Sequence, residues 1–362
     1  MTTVTTTAEP GSTADSTTKA PLLEVRNLDI HFQTSTGLAR VVDGCNLTIY
    51  PNEIVGIAGE SGSGKTTLVE GLMQIIRFPN RVARGQVLFH GDGEQPVDLM
   101  TLGEKRMRQF RGSQIAYVPQ GSMNSLNPVL RVEDQIVDGM VAHGRRERAA
   151  RASVPELLGS VGLEPKVARL YPHELSGGMK QRVIIAIAIA MEPELIIADE
   201  PTTALDVNVQ RLILETLKGL RDRMGMSVLL VSHDLPVHAQ LADRIGIMYA
   251  GQIVETGPIR DTVKEPLHPY THGLMTSIPM IGGSRERIEG IGGSTPSPKA
   301  WPPGCRFHNR CPWKMEMCET TPPLLAQVTP GDREVLGEGR EVGQGRQVAC
   351  HLYPESTPGG AR

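Results

Sequence analysis

Apolar positions in this chain fall in short bursts rather than long helical stripes. Leu22-Leu23-Glu24-Val25, Leu47-Thr48-Ile49 and Ile54-Val55-Gly56-Ile57-Ala58 are bounded by Gly, Pro, Asn or Asp, the pattern of short β-strands. A helix-permissive stretch, Thr66 to Ile76, follows the third burst directly. Leu195-Ile196-Ile197-Ala198 and Val228-Leu229-Leu230-Val231 are unbroken apolar runs ending in polar residues. Such runs predict buried parallel strands that deliver side chains at their carboxyl ends. Between about 121 and 172 the text turns to charged residues such as Arg145-Arg146-Glu147-Arg148, predicting a helical insertion in an α/β core.

Beyond Gly257-Pro258 the chain becomes rich in Pro and Gly, so a small irregular C-terminal domain is expected over 259–362, with a loose tail from Pro354. Residues 1–20, dominated by Thr, Ser, Ala and Pro, read as a disordered leader. The α/β core with its insertion then occupies 21–258, and no internal repeat is visible, so one copy is present.

Composition narrows the class. With 362 residues, 21% of them charged, and a net charge of -3, collagen-like, coiled-coil and wholly disordered proteins are excluded. The balance also argues against a nucleic-acid partner, which needs a basic stripe. The longest apolar run, Val183 to Met191, is far short of the roughly 20 residues of a membrane span. No positive segment followed by an apolar one opens the chain, so a cytosolic location is expected. Four of the five cysteines lie between Cys305 and Cys350, while Cys45 stands apart and reads as a small buried side chain. In a reducing compartment that clustering favours metal ligation over disulfides.

Gly59-Glu60-Ser61-Gly62-Ser63-Gly64-Lys65-Thr66 fits G-x-x-x-x-G-K-[ST] between a strand and a helix. Its glycines let successive N–H groups face phosphate oxygens, and the helix adds its positive end. Lys65 can reach the β- and γ-phosphates, Thr66 can ligate Mg²⁺, and Thr67 completes the ATP-binding set. The apolar strand ending in Asp199-Glu200 supplies the second half: Asp199 for Mg²⁺ and Glu200 to polarise an attacking water.

Leu175-Ser176-Gly177-Gly178-Met179 at a helix start makes a second anion cradle, although Ser-Gly-Gly is also an ordinary turn. Here the chain resembles the ATP-binding cassette (ABC) family, whose signature is L-S-G-G-Q or a close variant. The resemblance implies an ABC-type P-loop NTPase core with a β-rich N-terminal subdomain, and it runs in order from 22 to 258. It implies that Gln120 senses Mg²⁺ and the γ-phosphate and that Ala204-Leu205-Asp206 crosses a dimer interface. It also implies that His233 contacts the γ-phosphate and that Phe32 stacks on adenine. Met179 departs from the usual Gln, as in the peptide-importer branch, and Asn52 stands where Gly is usual.

Pro266-Leu267-His268-Pro269-Tyr270-Thr271 and Gly304-Cys305-Arg306-Phe307-His308-Asn309-Arg310-Cys311-Pro312 resemble the ATPase subunits of oligopeptide, dipeptide and nickel importers. The cysteine spacing, C-x5-C-x6-C-x31-C through Cys305, Cys311, Cys318 and Cys350, lacks the close pairs of a zinc site. It suits an iron–sulfur cube, and the resemblance points to a [4Fe–4S] cluster; zinc, with His308 or His351 as substitute ligands, and unligated thiols are the alternatives. The resemblance further implies a head-to-tail partnership with a second ATPase, two transmembrane permease subunits and an extracytoplasmic substrate-binding protein. The cargo it suggests is short peptides, with nickel or oligosaccharide as alternatives, and the place is the cytoplasmic face of the membrane. The rival class is a soluble ABC ATPase outside transport.

Overall fold

A long hairpin opens the chain where two short strands were expected. β1 (Leu23–Thr34) and β2 (Gly37–Ile49) pair antiparallel, with register shifts between Val25 and Leu28 and again near Ile30. One face is partly solvated and the bulges break the alternation, so only the buried strand ends read as apolar in sequence. The structure is a computed structural model and describes residues 20–91, 95–277, 290–336 and 338–356. The expected leader, apart from Ala20, lies outside the described residues.

β3 (Ile54–Ala58) is buried throughout, and the turn before it carries Asn52, where Gly is usual, at φ 59°, a left-handed conformation that Asn tolerates. α1 (Lys65–Leu72) follows, ending four residues before Ile76 as Gln74 takes φ 50°. β4 (Arg81–Phe89) and β5 (Val97–Asp98) join the hairpin in an antiparallel sheet of order β2-β1-β4-β5. α2 (Glu104–Phe110) leads to β6 (Ile115–Val118), and the insertion then supplies α3 (Val132–Ala142) and α4 (Glu147–Ser160). Behind them runs α5 (Gly177–Ile189), whose apolar run packs into the same core.

The main sheet is completed by β7 (Leu195–Asp199), β8 (Ser227–Val231), β9 (Arg244–Tyr249) and β10 (Gln252–Pro258), with α6 (Val207–Met224) and α7 (Leu235–Leu241) as crossovers. Leu195, Ile197, Leu229 and Val231 face one core, while Ile196, Ala198, Val228 and Leu230 face the other. Burial on both faces is why these strands read as unbroken apolar runs.

The sheet does not stop at residue 258. After α8 (Ile259–Lys264) and α9 (Pro269–Thr276) come β11 (Ala326–Gln327), β12 (Gly331–Val335), β13 (Glu338–Val342) and β14 (Gln347–Val348). β14 pairs antiparallel with β10, setting Val348 opposite Glu255, and the eight-stranded order is β11-β14-β10-β9-β3-β8-β7-β6. The segment expected to be irregular therefore extends the core sheet. The tail expected to be loose from Pro354 is held as well: Pro354–Ser356 form a 3₁₀ turn, and the buried Ser356 donates to the Val348 carbonyl at 2.6 Å. Residues 357–362 lie outside the described residues. Cys45 is buried, as expected.

One core histidine makes stability depend on pH. His238 on α7 is fully buried against β3, where a Cβ on Gly56 would come within 2.4 Å of its Nδ1. Burial pulls its pKa down to about 4. Between the ordinary value near 6.5 and about 4, the unfolded chain binds a proton that the native state refuses. This contribution to stability is full above pH 6.5 and is lost as pH falls towards 4, by roughly 2 kcal/mol at pH 5. Denaturant unfolding at pH 7.5 and 5.0 should show His238→Gln losing less stability than the parent by about that amount; equal losses would remove His238 as the cause.

Candidate active site

Four neighbouring strands aim their carboxyl ends at one place. The sheet order β3-β8-β7-β6 sets the phosphate loop, His233, Asp199-Glu200 and Gln120 side by side, the position where open α/β sheets bind ligands.

The loop from Gly59 to Gly64 is backbone-driven. Gly59 sits at φ 154°, and a Cβ there would lie 2.1 Å from the Met248 carbonyl oxygen, so only glycine fits. Gly64 caps α1 at φ 106°, and Gly62, Ser61 and Ser63 complete the bend, with the Ser63 carbonyl accepting from Gly251 N at 2.8 Å. Lys65 is buried and donates to the Gly59 and Glu60 carbonyls at 2.8 and 3.0 Å. Burial lowers its pKa, against the opposing pull of Glu200, Asp199 and Glu60. Thr66 and Thr67, on the first turn of α1, are partly exposed.

Asp199 ends β7 fully buried, and among the described residues neither carboxylate oxygen has a hydrogen-bond partner. Burial lifts its pKa to about 6, with Thr66 close enough to act in the other direction. A carboxylate buried and unsatisfied in this way fits a dication ligand. Glu200 adopts φ 47°, a left-handed conformation that costs a residue other than glycine on the order of 1 kcal/mol or more. His233 Nδ1 donates to its Oε1 at 2.8 Å, Thr203 Oγ1 to Oε2 at 2.7 Å, and Gln120 Nε2 approaches Oε2 at 3.4 Å. Burial works to raise the Glu200 pKa, but the His233 and Thr203 bonds and the Lys65 charge outweigh it, and the net shift is downward. The carboxylate is thus kept ionised and oriented, as a general base requires.

Ser176 caps α5, its Oγ accepting from Met179 N at 3.3 Å. Leu175 is buried and Met179 packs on the same core. A Cβ on Gly178 would lie 2.4 Å from Val209 Cγ1, and one on Gly177 3.4 Å from Leu205, so the glycines let α5 close on α6 and its leading loop. In that loop Ala204 takes φ 64°, while Asp206 caps α6 by accepting from Asn208 N and Val209 N. This capping role of Asp206 escaped the sequence reading, although Asp just before a helix is its ordinary signal. Phe32, on β1, is partly buried against the core beneath the antiparallel sheet.

The four thiols of the C-terminal segment are buried or partly buried. Cys305 N donates to the Cys318 carbonyl at 2.9 Å, and burial above all, with a smaller part from Cys305, Cys311 and Cys318, opposes the ionisation of Cys350. Burial pushes the Cys305 and Cys311 thiols up to about 11. His308 and His351 each engage one ring nitrogen with a backbone carbonyl, of Cys305 and Thr321 respectively. Among the described residues, no group of three or more His, Cys, Asp or Glu side chains is placed to hold a metal ion.

Sequence reasoning also missed the partners of Glu60. Its backbone belongs to the loop, but its carboxylate turns to Arg310 and Thr295, 250 and 235 residues away. Tyr270 and Arg310 do stand within the importer-like tail motifs, yet nothing in a linear pattern says what they hold.

Comparison with known proteins agrees with this geometry. Residues 42–203 match the ABC transporter family model, and 254–318 match that of the oligopeptide/dipeptide transporter C-terminal region. The chain is 47% identical to a putative peptide import ATP-binding protein of Brucella abortus, over 85% of this chain and 92% of that one. It is 40% identical to the oligopeptide transport ATP-binding protein AppD of Bacillus subtilis, over 92% and 97%. With the dipeptide transport ATP-binding protein DppD of Haemophilus influenzae it shares 41%, over 87% and 94%. Among solved structures it resembles the dimeric ATP-binding cassette MJ0796 bound to ADP and Pi, at 27% identity and a TM-score of 0.58, over 66% of this chain and 99% of that one. The cassette fold and these relatives together place the chain in the ABC transporter ATP-binding proteins, in the oligopeptide/dipeptide branch, as an ABC-type ATPase.

Proposed function

We propose that this chain hydrolyses ATP to power a membrane importer of short peptides, paired with a second ATPase and docked on two permease subunits at the cytoplasmic face of the membrane. An extracytoplasmic binding protein would deliver the cargo. The observation that carries the ATPase chemistry is Glu200, oriented by His233, Thr203 and Gln120 beside the unsatisfied carboxylate of Asp199. Peptide cargo is supported by the names of the relatives. Among the described residues, no helix is long and apolar enough to cross a membrane, so the passage itself falls to partner subunits.

In the proposed mechanism, the amides of the 59–66 loop and Lys65 bind the triphosphate, with Phe32 under the adenine. Thr66, Asp199 and Gln120 would hold Mg²⁺, which when bound neutralises phosphate charge. Ser176 and the α5 N-terminus would face a nucleotide held by the partner, a reading supported by likeness to a dimeric ATP-binding cassette. Ala204, Leu205 and Asp206 lie along that interface. Glu200 takes the proton of the attacking water, and His233 keeps the carboxylate aimed. Closure moves the α3–α5 region, and hydrolysis resets it. The chain divides functionally into a cassette over 21–258, with its helical subdomain at about 121–172, and the C-terminal region from 259.

Cys305, Cys311, Cys318 and Cys350 would hold a [4Fe–4S] cluster that fastens the Pro-rich segment. What supports the cluster over zinc is the gathering of four cysteines in the C-terminal segment without close pairs; among the described residues no group of three or more His, Cys, Asp or Glu is placed to hold a metal ion of either kind. An absorption spectrum of anaerobically purified protein with a broad visible band supports the cluster; a colourless, zinc-containing protein overturns it.

Affinity capture of the tagged chain from detergent-solubilised membranes should recover two multi-span proteins and a second cassette ATPase. Recovery of a soluble partner instead would move the chain outside transport. Transport of labelled peptide, nickel or oligosaccharide by the captured complex in proteoliposomes decides the cargo.

A further inference from the structure

We propose that Arg310, carried on the C-terminal segment, is a positioning residue of the ATP site, holding the phosphate loop through Glu60, with Arg306 as a second brace. The inference rests on the ATPase reading and adds a part of the chain to its machinery.

Phosphate loops bind through backbone amides, so their affinity depends on how firmly the bend is held before ligand arrives. Here the bend is held from behind at two points. At its start, Arg310 Nη1 and Nη2 donate to the two Glu60 carboxylate oxygens, both at 2.9 Å, a planar fork on a carboxylate. Thr295 Oγ1 donates to Oε2 at 2.5 Å, and Glu60 N donates to Tyr270 Oη at 2.8 Å. The Arg310 side chain is 6% exposed. It is fixed in turn by the Gly292 carbonyl at 2.8 Å and by the Tyr249 and Phe307 rings. The carbonyl of the same Glu60 accepts from Lys65 Nζ, so Arg310 and Lys65 meet on one loop residue.

Near the end of the bend, the Ser63 carbonyl accepts from Gly251 N. The Ala250–Gly251 turn is held by Arg306, which donates to the Ala250 carbonyl at 2.5 Å and pairs with Asp43. Arg306 stacks over Trp301 at 3.5 Å, and Trp301 fills the space that a Cβ on Gly251 would enter. Both arginines lie within the seven residues bounded by Cys305 and Cys311. Nothing in this arrangement touches the Glu200 carboxylate, so its loss should loosen nucleotide binding more than it slows the chemical step.

The test uses the full chain in its complex. Binding of a fluorescent ATP analogue, steady-state kinetics and hydrogen exchange of the 59–66 amides are compared for the parent, Arg310→Met, Arg310→Lys and Lys65→Ala. Arg310→Met should weaken analogue binding and raise KM at least tenfold, change kcat less than threefold, and speed exchange in the loop while β7 and β8 stay protected. Arg310→Lys, which keeps the charge but loses the fork, should fall between the two. If Lys65→Ala abolishes binding while both Arg310 variants bind and exchange as the parent does, the positioning role is overturned. If Arg310→Met does not fold, the Arg310→Lys result decides alone: parental KM and exchange refute the role, and weakened binding with faster loop exchange supports it. A parent that fails to bind the analogue overturns the ATPase reading and, with it, this role; parental binding with unaltered Arg310 variants overturns only the role.

Discussion

Replacing Glu200 by Gln should cut ATP hydrolysis by the assembled transporter about a hundredfold or more while leaving ATP binding intact. The substitution keeps the shape of the side chain and an acceptor for Thr203, which bonds at 2.7 Å, but removes the carboxylate that His233 orients at 2.8 Å. A general base is worth roughly 10²–10⁴ in rate, and no other carboxylate stands in reserve with the same partners, since Asp199 is fully buried at the end of β7. The proposed phosphate contacts lie on a different element, the loop after β3, so nucleotide should still bind and the proposed pair of ATPases should accumulate closed. Phosphate release and ATP-dependent association by size exclusion measure both halves. Hydrolysis within threefold of the parent would dismiss Glu200 as the base.

Arg346→Ala should destabilise the protein by about 3–5 kcal/mol, a large part of what a typical domain has. Arg346 and Glu255 are both fully buried, and Arg346 Nη2 donates to Glu255 Oε1 at 2.6 Å and to the Glu265 carbonyl at 2.9 Å. Glu255 also accepts from Leu267 N and His268 N, at 3.0 and 2.9 Å. Removing the guanidinium strands a carboxylate without water or counter-charge, which costs far more than the pair contributes when intact. Adding Glu255→Gln to Arg346→Ala should recover part of the loss, because it removes the stranded charge, while its single amide oxygen keeps one of the two backbone bonds that reach separate oxygens of Glu255. Denaturant unfolding of the three variants reads this directly. A single variant within 1 kcal/mol of the parent, or a double variant less stable than Arg346→Ala, would show that the pair does not hold β14 to β10.

What was legible in the residue order follows from locality. The loop from Gly59 to Thr66 and the strand ending in Asp199-Glu200 were readable because phosphate recognition uses consecutive backbone groups and one strand end. β7 and β8 were readable because both their faces are buried. The β1–β2 hairpin was legible only at its ends, since solvation and register shifts blur its middle. β11 and β14, two residues each, are too short for any periodicity, which made the C-terminal region look irregular. Its Pro and Gly content concealed a sheet edge.

The order of residues alone pointed to the ATPase family of this protein, because a few contiguous glycines, a lysine and two acids suffice to suggest nucleotide chemistry. The folded chain decided what supports that chemistry: Arg310 on Glu60, Arg306 on the Ala250–Gly251 turn, and Arg346 on Glu255. Each of these joins residues at least 56 positions apart. A fork on a carboxylate, or a charge removed from water, acquires its energy from burial and angle, and neither exists until distant segments have packed.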